Sequence, residues 1–164
     1  MYRTKNLGEL RIENVGEEVE LAGWIQKIRN LGGMIFIDLR DENGITQIVI
    51  NDEDLQKQAK ELVKESCIQI IGKVTERTSK NPKMLTGDIE VVANKIKVLG
   101  KCKAELPFEV NSEVEAREDL RLEYRFLDLR NEKLHNTILL RSKILKTLRD
   151  KMDELGFFEI QTPI

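Results

Sequence analysis

From residue 34 the chain alternates between apolar and polar positions. Ile35, Ile37 and Leu39 fall on one side of an extended run, and Phe36, Asp38 and Arg40 fall on the other. That period of two predicts a strand over residues 34–40 with one buried face. The DENG stretch at 41–44 supplies hairpin-turn chemistry, and residues 45–50 (ITQIVI) form the next strand. Upstream, residues 16–30 read as a long strand in which Val19, Leu21, Gly23 and Ile25 share one parity. Beyond Gly23 the apolar parity changes: Ile28 takes it up, and Lys27 and Arg29 occupy the other. A bend or bulge near Gly23 is the expected cause.

The period then lengthens. Asn51 or Asp52 is placed to cap a helix, acids fill its first turn, and Leu55, Ala59, Leu62 and Val63 recur at helical spacing. Residues 66–78 form a fourth strand, 79–87 a polar loop and 88–100 a fifth strand. Three antiparallel strands, a helix and two further strands is the element order of a five-stranded Greek-key barrel, the OB-fold. The helix between the third and fourth strands separates it from an SH3-like barrel.

Residues 1–14 are polar apart from Leu7, Leu10 and Ile12, and read as a short helix or an arm. After a connector broken by Pro107, residues 113–130 are charged and partly helical. An amphipathic helix follows over 132–155, with Leu134, Ile138, Leu145, Leu148, Met152 and Leu155 on its apolar stripe and Gly156 as its stop. The final FFEIQTPI reads as a strand entering a proline turn. One helix and one strand do not bury their own apolar faces, so this part reads as the opening of a second domain.

Composition narrows the options little. The 164 residues are 40% hydrophobic and 34% charged, with no apolar window of membrane-spanning length and no apolar leader at the N-terminus. This composition predicts a cytoplasmic protein with no membrane association. Cys67, Cys102 and the single histidine, His135, have no zinc-ligand spacing and make no disulfide framework, so no metal site is expected. No phosphate loop, HExxH or GxSxG motif is present, and no catalytic constellation is predicted. The net charge is −2, which moves the question of nucleic-acid binding from the whole chain to one face.

That face is the one carrying Phe36. An aromatic on the parity of an acid and a base is a candidate platform for stacking a nucleobase. Lys27 and Arg29 lie on the neighbouring strand, and Lys73, Arg77, Lys80 and Lys83 on the fourth strand and its loop. In an OB-fold these elements border the binding groove. Gln47, a polar residue in an apolar strand, carries an amide that can read a base edge, and Asn81 and Glu90 are further candidates.

Several strings then narrow the class. YRTKNLGELR, VELAGWIQKIRNLGGMIFIDLRDENGITQIVI, CIQIIGKV, LPFEV, LRLEYRFLDLR and RSKILKTLRDKMDELGFFEIQTPI together resemble the bacterial-type aspartyl-tRNA synthetases, in order and over the whole chain. FIDLRD and YRFLDLR also resemble lysyl-tRNA synthetase, which shares the class IIb architecture. The alternatives are a lysyl- or asparaginyl-type fragment, a stand-alone OB module for single-stranded nucleic acid, and a protein-docking OB face.

The resemblance implies an anticodon-binding OB-fold over 1–104, a hinge over 105–130 and the truncated start of a class II catalytic domain over 131–164. It implies that Lys27, Arg29, Phe36, Gln47, Arg77, Asn81 and Glu90 contact the anticodon of tRNA-Asp, with Phe36 stacking on a base. Lys27 and Thr75 stand where the family commonly has arginine, and the loop over 79–87 is short for the family. GFFEIQTPI resembles motif 1, whose proline corresponds to Pro163 and lies at the homodimer interface. The parent's reaction, ligation of L-aspartate to tRNA with ATP and Mg²⁺, is implied to reside in motifs 2 and 3 beyond Ile164. The chain alone is therefore expected to be inactive.

Overall fold

The computed structural model describes residues 2–102, 106–112 and 114–163. The chain divides into two units, Met1–Ala104 and Glu105–Ile164.

The first unit is a closed barrel of β1 (Glu18–Leu31), β2 (Met34–Arg40), β3 (Ile45–Ile50), β4 (Cys67–Glu76) and β5 (Ile89–Gly100), in the spatial order β1-β2-β3-β5-β4. Helix α1 (Glu53–Ala59) lies between β3 and β4 in the chain. All neighbouring strands are antiparallel except β3 and β5, which run parallel. This is the predicted Greek key. Closure removes the exposed strand edges that an open sheet of this length would present.

β1 closes the barrel by serving two neighbours. Glu18–Trp24 pair with β4, and Trp24–Leu31 pair with β2. The parity switch seen in the sequence is a register shift between Ile25 and Lys27, which sets Gln26 outside the ladder. The irregularity is therefore not at Gly23. Gly23 answers a different demand: a Cβ there would stand 2.4 Å from the Arg40 carbonyl oxygen. Gly72 on β4 is constrained in the same way by the Val92 carbonyl, at 2.3 Å. Both glycines permit close backbone approach where the sheet coils.

The interior is aliphatic. Leu21, Ile25, Ile37, Leu39, Ile48, Ile68, Ile70 and Val91 are fully buried. Residues 2–14 do more than form an arm, since Leu7 and Leu10 are also fully buried in this core. Asp41 holds the segment there: its Oδ2 accepts from the Leu7 N–H at 2.9 Å, while its Oδ1 accepts from Asn43 and Gly44 and closes the β2–β3 turn. Thr46 donates its hydroxyl proton to the Leu7 carbonyl.

α1 starts where predicted. Asp52 accepts from the Asp54 and Leu55 N–H groups at 3.0 and 2.9 Å. The helix ends at Ala59, short of the predicted Leu62 and Val63. Its exit tightens into i→i−3 bonds from Glu61 and Leu62, and Glu65 then takes a left-handed conformation, φ 60°, that turns the chain into β4. Leu62 still reaches the core, and Val63 faces out. Asp52→Ala is expected to cost about 1 kcal/mol through the two lost cap bonds, read as a lower urea midpoint at unchanged slope.

The second unit contains α2 (Glu118–Glu123), α3 (Arg125–Asp128) and α4 (Glu132–Glu154). Asp128 is buried between Arg121 Nε, 2.8 Å away, and Arg125 Nη1, 2.5 Å away. Asn131 caps α4 by accepting from Leu134 N–H, and its amide donates to the Val110 carbonyl at 2.8 Å. Gly156, φ 82°, ends the helix: Phe157 N–H reaches the Met152 carbonyl and Gly156 N–H the Asp153 carbonyl, the paired bonds of a Schellman cap. The predicted strand after Gly156 does not form. Residues 157–163 carry no strand, because a strand exists only in a ladder and the described residues of this unit contain no sheet.

Candidate nucleic-acid interface

The outer face of the barrel carries two adjacent rows of side chains, placed by strand register. In one row Arg29 on β1 faces Phe36 on β2, Phe36 faces Val49 on β3, Val49 faces Val92 on β5, and Val92 faces Lys73 on β4. Phe36 is half-buried, while its neighbours in sequence, Ile35 and Ile37, point into the core at 2% and 0% exposure. The row is thus an apolar strip, Phe36–Val49–Val92, with a cation at each end.

The second row is polar. Lys27 faces Asp38 and Asp38 faces Gln47. Gln47 Nε2 donates to Glu90 Oε2 at 2.8 Å, and Glu90 faces Thr75 on β4. Arg29 stitches the two rows together, and Arg77 joins the polar row from its other side. Arg29 Nη2 donates to Asp38 Oδ1 at 2.5 Å and to Gln47 Oε1 at 3.2 Å. Arg77 Nη2 donates to the same Gln47 oxygen at 3.0 Å.

Gln47 is therefore buried within this row. It is 4% exposed and both ends of its amide are engaged, the oxygen by two guanidinium groups and the nitrogen by a carboxylate. Its orientation is set by charge on either side. The cluster holds two cations, Arg29 and Arg77, and two anions, Asp38 and Glu90, so its formal charge cancels. Arg29 Nε and Arg77 Nη1 are buried without an acceptor. Each is a desolvated donor, a cost of about 1–3 kcal/mol that a contact with an acceptor recovers.

The structure thus brings Arg29, Phe36, Gln47, Arg77 and Glu90 onto one face. Lys27 borders it, exposed and without an ion pair among the described residues. Asn81 stays with its own loop. Its Oδ1 accepts from Lys83 N–H at 3.1 Å, and its backbone bonds to Gly87 and Met84 close the turn between β4 and β5. Lys80 is bonded to Glu76 at 2.8 Å with Asp88 at 4.0 Å, and the Glu76 hydrogen bond raises its pKa above the ordinary lysine value. Lys73 and Lys83 are exposed and form no ion pair among the described residues. Pro163 is exposed in the second unit.

Arg40 departs from expectation. Its parity is that of Phe36, yet it is only 7% exposed, with Nη2 donating to both carboxylate oxygens of Glu65 at 2.9 and 3.0 Å. Sequence reasoning also missed Asp38 as a member of the site. Its place on the Phe36 parity was visible, but its pairing with Arg29 depends on the bulge in β1.

An apolar strip at strand centre, cations at its ends and an adjoining row of alternating donors and acceptors can hold a stacked base, its phosphates and its polar edge. Comparison with known proteins points the same way. The family described as OB-fold nucleic acid binding domain matches residues 19–99, and that described as tRNA synthetases class II (D, K and N) matches residues 117–164. An aspartate–tRNA ligase of Lactobacillus johnsonii is 48% identical over 99% of this chain, which covers 27% of that protein. An aspartate–tRNA(Asp/Asn) ligase of Rickettsia canadensis is 49% identical over 99% of this chain and 28% of its own length. The chain thus spans little more than a quarter of the curated relatives it matches. Among solved structures, asparaginyl-tRNA synthetase from Pyrococcus horikoshii superposes with a TM-score of 0.85 at 28% identity, over 100% of this chain and 37% of that one. Aspartyl-tRNA synthetase from Entamoeba histolytica, at 21% identity, shares the fold with a TM-score of 0.89 over 97% of this chain and 39% of its own. By its OB-fold nucleic-acid-binding domain, its class II synthetase segment and its near-full-length match to part of these ligases, the chain is similar to the anticodon-binding region of the aspartyl-tRNA synthetases.

Proposed function

We propose that the outer face of β1, β2, β3 and β5 binds the anticodon loop of tRNA-Asp for a parent enzyme that joins L-aspartate to that tRNA. The observation that carries this reading is the Phe36–Val49–Val92 strip held between Arg29 and Lys73. Phe36 stacks on one anticodon base, as base–aromatic contacts do in other single-strand binders. Arg29 and Arg77 present donors to base edges. Gln47 fixes those guanidinium groups by accepting from both, and Glu90, which holds the Gln47 amide, offers a carboxylate to an incoming edge. Lys27 and Lys73 take phosphates, as point charges without the bidentate fork of arginine. Asn81 shapes the β4–β5 loop at the end of the groove.

Residues 105–130 serve as the hinge to the catalytic domain. Pro163, with the exposed Phe158 and Ile160 beside it, belongs to the homodimer interface of the parent. ATP and Mg²⁺ are cofactors of that parent, held by its motifs 2 and 3, and no step of the ligation runs through the residues described here. No helix among the described residues is long and apolar enough to cross a membrane. The parent works in translation, in the cytoplasm.

Binding is expected to weaken with salt. If Lys27, Lys73 and Lys83 each neutralise one phosphate, the plot of log K against log salt has a slope of about −2, at roughly 0.7 per single-strand contact. Fluorescence anisotropy with a tRNA-Asp anticodon stem-loop at several salt concentrations measures it. A flat plot would remove the electrostatic half of the reading.

A further inference from the structure

Within the cluster, Asp38 is the side chain to which the anticodon reading gives no task. It sits within the polar row, with Lys27 opposite it on β1 and Gln47 opposite it on β3. Its carboxylate, 18% exposed, nevertheless bonds across to Arg29 at 2.5 Å, while Lys27 stays open to solvent. The result is an electrostatic arrangement with a consequence for selectivity. Arg29, at the end of the stacking strip, and Arg77, on the far side of the polar row, are the two guanidinium groups of the cluster, and a bare guanidinium pair attracts any phosphate. Asp38 on one side and Glu90 on the other cancel that attraction. They leave a row of directed donors and acceptors, which matches the polar edge of a base better than a charged backbone.

We propose that Asp38 is a positioning residue that determines specificity: by pairing with Arg29 it holds the guanidinium against Gln47 and makes the cluster select base edges over phosphates. The inference rests on the anticodon reading above. Its physical content is that an anion at Asp38 lowers the affinity for wrong loops more than for the right one. Freed of it, Arg29 swings toward the backbone, adds a phosphate contact, and no longer presents a fixed fork to a base.

The test compares wild type, Asp38→Asn and Asp38→Glu, first checked for equal thermal melting. Each is titrated with a tRNA-Asp anticodon stem-loop and with the same stem carrying an altered loop. Asp38→Asn is expected to make the salt slope steeper by about 0.7, one single-strand phosphate. It is also expected to cut the ratio of affinities for right and wrong loops by about tenfold, at the scale of one lost directed base contact. Asp38→Glu keeps the charge and retains the wild-type slope. In an Arg29→Gln background Asp38→Asn changes neither quantity. Equal weakening of both loops at an unchanged slope would make Asp38 a structural residue and overturn the inference, while wild type still prefers the right loop. If wild type shows no preference between loops, the anticodon reading itself fails, and this inference falls with it.

Discussion

Phe36→Ala is expected to weaken binding of the anticodon stem-loop by roughly 5- to 150-fold, from the ~1–3 kcal/mol that stacking one base on an aromatic ring contributes. Phe36 is placed to give this effect because it is held out of the core by the strand that carries it. Ile35 and Ile37 are buried on the other face, and the ring is flanked across the ladder by Arg29 and Val49. Alanine leaves the ladder intact and removes only the platform. Phe36→Tyr keeps the ring and is expected to bind within a few-fold of wild type. Anisotropy at fixed salt reads both. The salt slope serves as the internal control, since stacking carries no charge and Phe36→Ala leaves the slope unchanged. Comparable affinities for Phe36→Ala and wild type would mean that no base stacks there.

A second large effect is expected far from the groove. Arg40 and Glu65 are 9% and 6% exposed at their side chains and meet at 2.9 Å. Glu65→Ala leaves the guanidinium buried without its counter-charge, which costs about 3–5 kcal/mol in comparable pairs. The backbone at Glu65 is left-handed, φ 60°, and alanine has the same Cβ restriction there, so the change adds no backbone strain of its own. The site of the pair gives it structural reach. Glu65 N–H donates to the Ile25 carbonyl and Ile25 N–H to the Ser66 carbonyl, beside the bulge of β1. Losing the pair therefore loosens the segment that sets the register of Lys27 and Arg29. Urea unfolding of Glu65→Ala is expected to show a midpoint lowered in proportion. A double variant replacing both partners by apolar residues of similar volume is expected to recover much of the loss. A midpoint within 0.5 kcal/mol of wild type, a scale typical of substitutions away from such features, would show the pair to be dispensable.

The strands, their order and the helix between β3 and β4 were legible in the sequence because each is written in local periodicity. Residues whose state depends on a distant partner were not. Arg40 shares the parity of Phe36, and only Glu65, arriving through the return of α1, draws it inside. The burial of Gln47 was not legible because a polar side chain in ITQIVI has no local reason to be buried. Its reason lies on three other strands or their ends, at Arg29, Arg77 and Glu90. The parity switch in β1 was visible but pointed to Gly23. A glycine needed for close approach to Arg40 and a bulge at Gln26 leave the same trace in a pattern of apolar positions. α1 ends early because Glu65 must turn the chain, which helical spacing does not encode. The strand expected after Gly156 had the right composition and lacks a ladder to join.

The central claim, that this face reads an anticodon loop, is tested most directly by mapping backbone amide shifts of the chain as a tRNA-Asp anticodon stem-loop is added. Shifts concentrated at Arg29, Phe36, Asp38, Gln47, Arg77 and Glu90, saturating together and much smaller with an altered loop, are the expected result. Shifts centred on α1 or α4, or an identical response to both loops, would contradict it.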